Sequence, residues 1–243
     1  MHTGERRRIG LLVPSSNSVM EVDFNRNVPE GHSVHTGRMY MEEATPEDES
    51  RMLDEFAAPA ARAVATARPH IIVFGCTSAG ALRGNDYDDL LCRRLNDETG
   101  VGVVSTIASV RRAIARRNAK RVGVITPYVQ SLNDKIRASL ESDGLEVVDI
   151  HGLGITENFT IAEVAPAEIL SFAERCFAGR KIDLLFVSCT NFRALDAVRS
   201  IEETLGIPVM TSNLAALEGT LEALGMEPLL PTHSRAVAET QAT

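Results

Sequence analysis

Two cysteines occupy matching positions in this sequence and could act as a pair. Cys76 follows the apolar run Ile71–Gly75, and Cys189 follows a similar run that ends at Ser188; a threonine comes directly after each cysteine. A thiolate is both a nucleophile and a proton acceptor. Two thiols on opposite sides of one carbon could remove and return a proton, or one could add to a double bond while the other supplies the proton. Neither scheme needs a cofactor, and none is predicted.

The alternative is that these cysteines only fill the core. A single cysteine at the end of an apolar strand is more often a small buried hydrophobe than a nucleophile. The agreement between the two positions favours function, and a helix starting after each cysteine is expected to lower the thiol pKa. Cys92 and Cys176 fall within helical stretches, where packing is the better interpretation. The cysteines and histidines have no metal-ligand spacing, so no metal site is predicted.

Small polar residues surround the predicted thiol pair. Backbone amides and hydroxyl groups at the start of a helix bind a carboxylate without a lysine or arginine. Alternatively, the asparagines among them only cap helices, and the tyrosine is a surface aromatic beside a proline turn. The predicted catalytic residues are Cys76 and Cys189, and the predicted substrate-binding residues are Ser15, Ser16, Asn17, Thr77, Ser78, Tyr128, Asn158, Thr190 and Asn191.

An internal repeat predicts the elements that position these residues. The segment Lys120–Pro127 repeats Arg7–Pro14, and Cys189 repeats Cys76 at the same offset. Apolar runs alternate with amphipathic stretches, which predicts an α/β fold with two doubly wound, mainly parallel half-domains related by a pseudo-twofold axis. The carboxyl ends of both sheets would then face one cleft. The predicted halves are residues 1–118 and 119–226, followed by a loosely held tail, 227–243.

The predicted elements of the first half set the register of the site. Strands are expected at 8–13, 33–41, 71–75 and 100–105, and helices at 18–24, 46–67, 82–98 and 107–118. The arginine cluster 111–117 at the end of the last helix is interpreted as solvated.

Composition excludes several classes of function. The net charge of −8 argues against nucleic-acid binding, which needs a basic face. No apolar run approaches the roughly 20 residues of a membrane span, and no apolar signal region follows the basic N-terminus. The expectation is a cytoplasmic enzyme that acts on a small molecule.

The sequence resembles the aspartate/glutamate racemase superfamily, and within it the branch of maleate cis-trans isomerases and arylmalonate decarboxylases. The resemblance rests on the duplication, the paired cysteines, and the opening Gly-Leu-Leu-Val-Pro-Ser-Ser-Asn that ends at Asn17 and is followed by Met20-Glu21. It implies that Cys76 is the nucleophile, Cys189 the acid/base, and Asn17, Tyr128 and Asn158 the carboxylate ligands. It also implies a homo-oligomer, a dimer or tetramer.

The resemblance leaves more than one reaction open. The segment Ser188–Arg193 is more similar to relatives encoded with ectoine-degradation enzymes, and Arg193 either meets a substrate carboxylate or begins a helix. The first hypothesis is cis-trans isomerisation of a small dicarboxylic acid through a cysteine adduct. The second is racemisation or epimerisation of an amino acid or hydroxyacid by the same thiols, and less favoured are a malonate-type decarboxylase and a non-catalytic metabolite-binding protein. Arylmalonate decarboxylases keep only the second cysteine, so Cys76 argues against decarboxylation.

Overall fold

The computed structural model describes residues 6–226, so the predicted tail lies outside the described residues. Within 6–226, no helix combines the length and apolar character needed to cross a membrane. Strands and helices alternate in the order β1 (Arg8–Pro14), α1 (Met20–Asn27), β2 (Ser33–Met39), α2 (Pro46–Arg51), a π-helical segment (Met52–Phe56), α3 (Ala57–Ala65), β3 (Ile71–Phe74), α4 (Thr77–Leu82), α5 (Asn85–Thr99), β4 (Val103–Ser105), α6 (Thr106–Arg116), β5 (Arg121–Thr126), α7 (Gln130–Glu141), β6 (Glu146–Gly152), α8 (Asn158–Glu163), α9 (Pro166–Phe177), β7 (Leu184–Val187), a 3-10 segment (Leu195–Ala197), α10 (Val198–Leu205), β8 (Val209–Thr211) and α11 (Ser212–Ala223).

Two four-stranded parallel sheets confirm the predicted α/β fold. The first has the order β2-β1-β3-β4 and the second the equivalent order β6-β5-β7-β8. The central strands β3 and β7 are buried along their whole length, as continuous apolar runs in helix-covered parallel sheets must be. We call the part of the chain that carries β1–β4 the N-terminal half, and the part that carries β5–β8 the C-terminal half.

The helices predicted at 18–24 and 107–118 are found at Met20–Asn27 and Thr106–Arg116, and the other two predicted helices differ in more than their end residues. The helix expected at 46–67 contains the π-helical segment, and it begins as Thr45 accepts a hydrogen bond from the amide of Asp48. The predicted start of the helix at 82–98 is wrong. Helix α4 already begins at Thr77, and the helical conformation is interrupted between α4 and α5. Gly84 lies at the break with φ +87°, a conformation that glycine adopts without strain.

The helices that follow the last strand of each sheet pack together across the molecule. Helix α11 contacts α6 and also covers β3, β4 and α1 of the N-terminal half, while α6 contacts β8 of the C-terminal half. The buried Glu218 of α11 accepts hydrogen bonds from Arg116 and Arg117 at the end of α6. The interpretation of the arginine cluster as solvated holds for the exposed Arg116 but not for the half-buried Arg117, and both side chains join the halves. Arg111 likewise binds Asp143 of the other half.

Candidate active site

The site lies at the topological switch point of each sheet. In the N-terminal half this point is between the neighbouring strands β1 and β3, because the chain goes from β1 to β2 on one side and from β3 to β4 on the other. In the C-terminal half it is between β5 and β7 for the same reason. A crevice opens at this point at the carboxyl ends of the strands. Ser15–Asn17 follow β1, Cys76 follows β3, Tyr128 follows β5 and Cys189 follows β7. The duplicated topology thus supplies one loop from each of four equivalent strands.

Cys76 directly precedes α4, and its side chain is only 4% exposed. Its sulfur accepts a hydrogen bond from the amide of Ala79 and lies 3.9 Å from the Ser78 hydroxyl oxygen. The neighbouring Thr77 hydroxyl donates to Ser212 Oγ at 2.8 Å. Cys76 is therefore held in a dry pocket whose wall includes the C-terminal half.

Cys189 is also 4% exposed and has φ +103°, a conformation that costs a residue other than glycine roughly 1–3 kcal/mol. The amides of Asn191 and Phe192 donate to its sulfur, the first at 3.3 Å. Its own amide donates to Ser212 Oγ at 3.0 Å. The unusual backbone turns two amide groups toward the thiol, where they stabilise negative charge on sulfur.

Tyr128 lies near both thiols and hydrogen bonds to one of them, Cys189. Its side chain is 2% exposed, its hydroxyl group hydrogen bonds to the Cys189 sulfur, and it lies within hydrogen-bond reach of Ser78. Burial raises its pKa well above the usual value, and charge on either cysteine raises it further. The phenol therefore stays protonated beside both sulfurs and serves as a hydrogen-bond donor.

The expectation that helix N-termini lower the thiol pKa values is wrong. Burial raises the pKa of Cys76 well above its usual value, and the nearby Glu49 carboxylate raises it further; the Ala79 amide and Ser78 only partly offset this. Burial also raises the pKa of Cys189, to about 11, against the opposing effect of Tyr128 and the Asn191 amide. Helix α4 is a short helix, and desolvation of a thiolate outweighs its dipole. Both cysteines are thiols at neutral pH until a base or a substrate changes this.

Asn17 and Thr190 bridge the halves beneath the thiols. Asn17 Oδ1 accepts hydrogen bonds from the amides of Val19 and Met20, which caps the start of α1 as the alternative interpretation expected. Its Nδ2 donates to Thr190 Oγ1 at 3.0 Å, and Thr190 Oγ1 donates to the Gly75 carbonyl. The Asn17 amide group uses one of its two N–H bonds for Thr190. The other is available to a ligand.

A second bridge joins the remaining predicted residues. Asn158 Nδ2 donates to Ser16 Oγ at 2.8 Å, while Ser16 donates to the Met41 carbonyl. Asn191 donates to the Asn158 carbonyl oxygen at 2.6 Å and accepts from the amide of Ser18. Ser15 is further from the thiols and binds both backbone groups of Met41. The predicted residues therefore converge, although several of them spend their hydrogen bonds on joining loops.

Loops from opposite halves meet over the site. The amide of Ala44 donates to the Thr156 carbonyl at 2.6 Å, and the amide of Asn158 donates to the Glu42 carbonyl at 2.9 Å. Glu43 and Glu157 form an antiparallel bridge between these contacts. We call residues 42–44 and 156–158 the cleft bridge. With both cysteines nearly inaccessible, the structure is in a closed form.

Three residues near the thiols escaped the sequence analysis. Ser212 binds Thr77 and the Cys189 amide, and it could have been found because it follows β8 as Thr106 follows β4 in the repeat. Asn213 donates to the Thr190 carbonyl oxygen and to Asp23, whose pKa burial raises to about 6. Glu49, from α2, accepts a hydrogen bond from the Ser78 hydroxyl. Nothing in the sequence separates Glu49 from its exposed acidic neighbours.

The charged groups in and around the site are few. Arg193 is 44% exposed and pairs with Asp196 at 3.7 Å, as a residue at the start of a helical segment does. Of the buried side chains in residues 6–226, none belongs to arginine, lysine or histidine. A search of the same residues finds no cluster of metal-ligating side chains. Neutral donors and backbone amides must therefore hold any anionic ligand.

The chain is similar in sequence to a known protein family and to characterised enzymes. The sequence model of the Amdase family, described as arylmalonate decarboxylase, matches residues 9–237. The maleate isomerase of Pseudomonas putida KT2440 is 27% identical over 240 residues, which cover 92% of this chain and 94% of that protein.

Solved structures of maleate isomerases have the same fold. A cysteine-to-alanine variant of the maleate isomerase Iso from Pseudomonas putida S16, determined with maleate, superimposes with a TM-score of 0.85 at 25% identity, covering 91% of this chain and 93% of that one. A cysteine-to-serine variant of the Nocardia farcinica maleate cis-trans isomerase, which carries a covalently bound succinylcysteine intermediate, gives 0.83 at 25% identity, covering 91% and 94%.

Proposed function

Because this chain belongs to the arylmalonate decarboxylase family, we propose that it is a cofactor-independent cis-trans isomerase that acts on a small dicarboxylic acid of the maleate type. The observation that carries the proposal is the pair of buried thiols, Cys76 and Cys189, close to the buried Tyr128 hydroxyl group, which hydrogen bonds to Cys189. A covalent succinylcysteine in a relative of the same fold supports addition of a thiolate to the double bond.

The reaction follows from the different surroundings of the two sulfurs. The Cys76 thiolate adds to one alkene carbon, and the adjacent carbon becomes a carbanion conjugated to its carboxylate. Cys189, with a pKa near 11, remains a thiol and donates its proton to that carbon. Rotation about the new single bond, return of the proton to Cys189 and loss of the Cys76 thiolate give the trans acid.

The substrate carboxylates meet neutral donors in this proposal. Asn17, Tyr128 and Asn158 supply amide and phenol groups, and the backbone around Thr77 and Ser78 supplies amides. Preorganised donors in a buried site stabilise charge on the substrate without reorganisation at the moment of reaction. Ser15 and Ser16 position the loop that carries Asn17, while Thr190 and Asn191 orient Asn17 and Asn158 across the cleft.

Trapping of the adduct tests the proposal. In Cys189→Ser, maleate is expected to leave a succinyl group on Cys76, detected by intact mass and peptide mapping. Cys76→Ala is expected to form no adduct and to lose at least about 10³-fold in turnover, as expected when a nucleophile is removed. Cys92→Ser, away from the site, is the control and should keep the wild-type rate. Wild-type rates in both Cys76→Ala and Cys189→Ala, with no adduct, would refute the two-thiol mechanism.

The product distinguishes isomerisation from racemisation by the same thiols. Proton NMR of a maleate reaction is expected to show fumarate. A panel of chiral amino acids and hydroxyacids in deuterated water should show no exchange at the α-carbon. Exchange there with no fumarate from maleate would favour the racemase, and release of carbon dioxide from an arylmalonate would favour a decarboxylase. Light scattering checks the proposed homo-oligomer, a dimer or tetramer.

A further inference from the structure

The carboxyl group of Glu49 lies buried beside the thiol pair and has no part in the reaction derived above. It projects from α2, is fully buried, and accepts a hydrogen bond at Oε1 from the Ser78 hydroxyl group. Its other oxygen, Oε2, has no hydrogen-bond partner among the described residues. Burial of a carboxyl group with one unpaired oxygen lowers the stability of the fold, so a functional reason for its presence is expected.

Ser78 stands between this carboxyl group and the nucleophile. A serine hydroxyl has one hydrogen and two lone pairs. Since its hydrogen points to Glu49, its lone pairs are left for donors on the other side, where the Cys76 sulfur lies at 3.9 Å. These contacts therefore form a path along which a proton can move from the Cys76 sulfur, through the Ser78 hydroxyl group, to the Glu49 carboxylate.

We propose that Glu49 is the terminal acceptor of the Cys76 thiol proton, which reaches it through the hydroxyl group of Ser78. The S–H bond of Cys76 breaks as its proton joins Ser78 Oγ, and the proton that Ser78 carried moves to Glu49. A carboxylate and a thiol become a carboxylic acid and a thiolate. Charge and atoms balance without a further reactant.

The electrostatics of the pocket favour a shared proton. Burial raises the pKa of Glu49 to about 8, against the opposing effect of Ser78, and Asp48 on the same helix raises it further. The other titratable groups around the pair are Cys189 and Tyr128, both neutral at that pH because burial raises their pKa values. Two adjacent negative charges are disfavoured in this pocket, so above the Glu49 pKa the pair carries one charge, shared between carboxylate and sulfur.

The inference deepens the proposed function and rests on it for its catalytic meaning. After the first proton transfer Glu49 stays protonated through repeated turnovers, because the Cys76 thiolate is regenerated each time the product leaves. A neutral Glu49 also adds no negative charge beside a dicarboxylate substrate. The residue would thus prime the nucleophile without touching the substrate.

Alkylation of Cys76 by iodoacetamide tests the relay without any substrate. The pH dependence of the rate, followed by peptide mapping so that the four cysteines are distinguished, should have a midpoint near the Glu49 pKa of about 8. In Glu49→Gln the group that titrates near pH 8 is gone, so the midpoint should move upward by about one pH unit or more, to the raised pKa of the buried Cys76 thiol alone. If Glu49 were only a like charge beside the thiol, its removal would move the midpoint downward. The sign therefore decides.

A matched control is available elsewhere in the chain. Asp88 of α5 is also fully buried and accepts a hydrogen bond from a serine, but that serine is Ser105 of β4 and not Ser78. Asp88→Asn should leave the midpoint of Cys76 alkylation unchanged. Ser78→Ala keeps Glu49 and interrupts the path, but it also removes a hydrogen bond that lowers the pKa values of Cys76 and Glu49. The deciding comparison is therefore Glu49→Gln in the Ser78→Ala background, where it should add no further upward shift.

Each outcome has one meaning for the relay. An upward shift in Glu49→Gln that disappears in the Ser78→Ala background supports it. An unchanged midpoint or a downward shift in Glu49→Gln, or an equal upward shift in both backgrounds, overturns it. A wild-type protein that shows the expected alkylation profile but does not isomerise maleate would refute the proposed function and leave the relay standing.

Discussion

Three buried carboxyl groups have pKa values that burial raises far above the usual range. These values are about 6 for Asp23, about 8 for Glu49 and about 7 for Asp88. Each group binds a proton in the folded state at pH values where the unfolded chain has released it. Stability therefore falls as pH rises from the unfolded pKa, near 4, to the folded pKa of each group. Above about pH 8 this contribution is constant.

Removal of the Glu49 charge should stabilise the protein in alkaline solution. At pH 8.5 the Glu49 carboxylate is ionised in the unfolded wild-type chain, and folding must either bury that charge or protonate the group. Both lower the free energy of unfolding, and Glu49→Gln has no such loss. We expect Glu49→Gln to exceed the wild type by at least about 1 kcal/mol at pH 8.5 and to differ little at pH 5. Urea unfolding at the two pH values measures this. Equal slopes of stability with pH in the two proteins would contradict the raised pKa.

The sequence predicts the two cysteines of the site but not the buried Glu49, and the reason is physical. Cys76 and Cys189 were found because a duplication repeats them at the ends of two apolar runs. Glu49 lies in the acidic first turn of α2, where acidic residues favour the helix dipole whether or not they face solvent. Only the rotation of α2 about its axis places this carboxyl group inside, and that rotation depends on packing against α4.

The end of β6 shows how one element positions a side chain on another. The backbone of Gly152 lies so close to the Tyr128 loop that a Cβ atom would clash with the Tyr128 carbonyl oxygen and with Asn133. The amide of Gly154 donates to the same carbonyl, and that of Ile155 donates to Pro127. The strand therefore fixes the loop from which the Tyr128 phenol reaches the thiols.

Gly152→Ala should impair turnover by displacing this loop. We expect a loss of about tenfold or more in kcat, because a displacement of about 1 Å in a preorganised site can cost 10²-fold. Gly102→Ala is the control, since its Cβ would meet only the flexible end of Ile71 at 3.3 Å. A steady-state comparison of the two variants checks this. Equal kcat values would show that Tyr128 tolerates the shift.

Strands were easier to predict than helix boundaries. The cores of β1 and β3 agree with the expected ranges because continuous apolar runs leave few alternatives. The break between α4 and α5 was missed, since the small residues after Cys76 give no periodic pattern and helix 82–98 continues the pattern that follows. The π-helical segment was missed as well, because an extra residue in one turn changes no composition.

At the scale of the whole molecule, the closed cleft implies that the halves must separate locally for a substrate to enter. We expect the cleft bridge, residues 42–44 and 156–158, to open, since it joins the two halves and contains Asn158, which hydrogen bonds to Ser16 in the loop that carries Asn17. Motions of such loops occur in microseconds to milliseconds and often limit turnover.

A disulfide across the cleft bridge should lock the enzyme. Glu43 and Glu157 are bridge partners, so cysteines at these positions fall within the Cα separation that a disulfide accepts. We expect Glu43→Cys with Glu157→Cys to lose most activity when oxidised and to regain it on reduction with dithiothreitol. Each single variant is the control, because neither can form the link. Full activity of the oxidised double variant would show that substrate enters by another path.

The contacts between the halves also bear on how such a protein arose. Asn17 of one half holds Thr190 of the other, and Thr77 holds Ser212, which in turn anchors the Cys189 amide. Each cysteine loop is completed by the opposite half, and α11 covers a sheet that is not its own. An ancestor of half this length would have had exposed sheets and unfinished loops as a monomer. Duplication and fusion of a subunit that paired with a second copy of itself would account for these contacts, and it would let the two cysteines take the different roles proposed above.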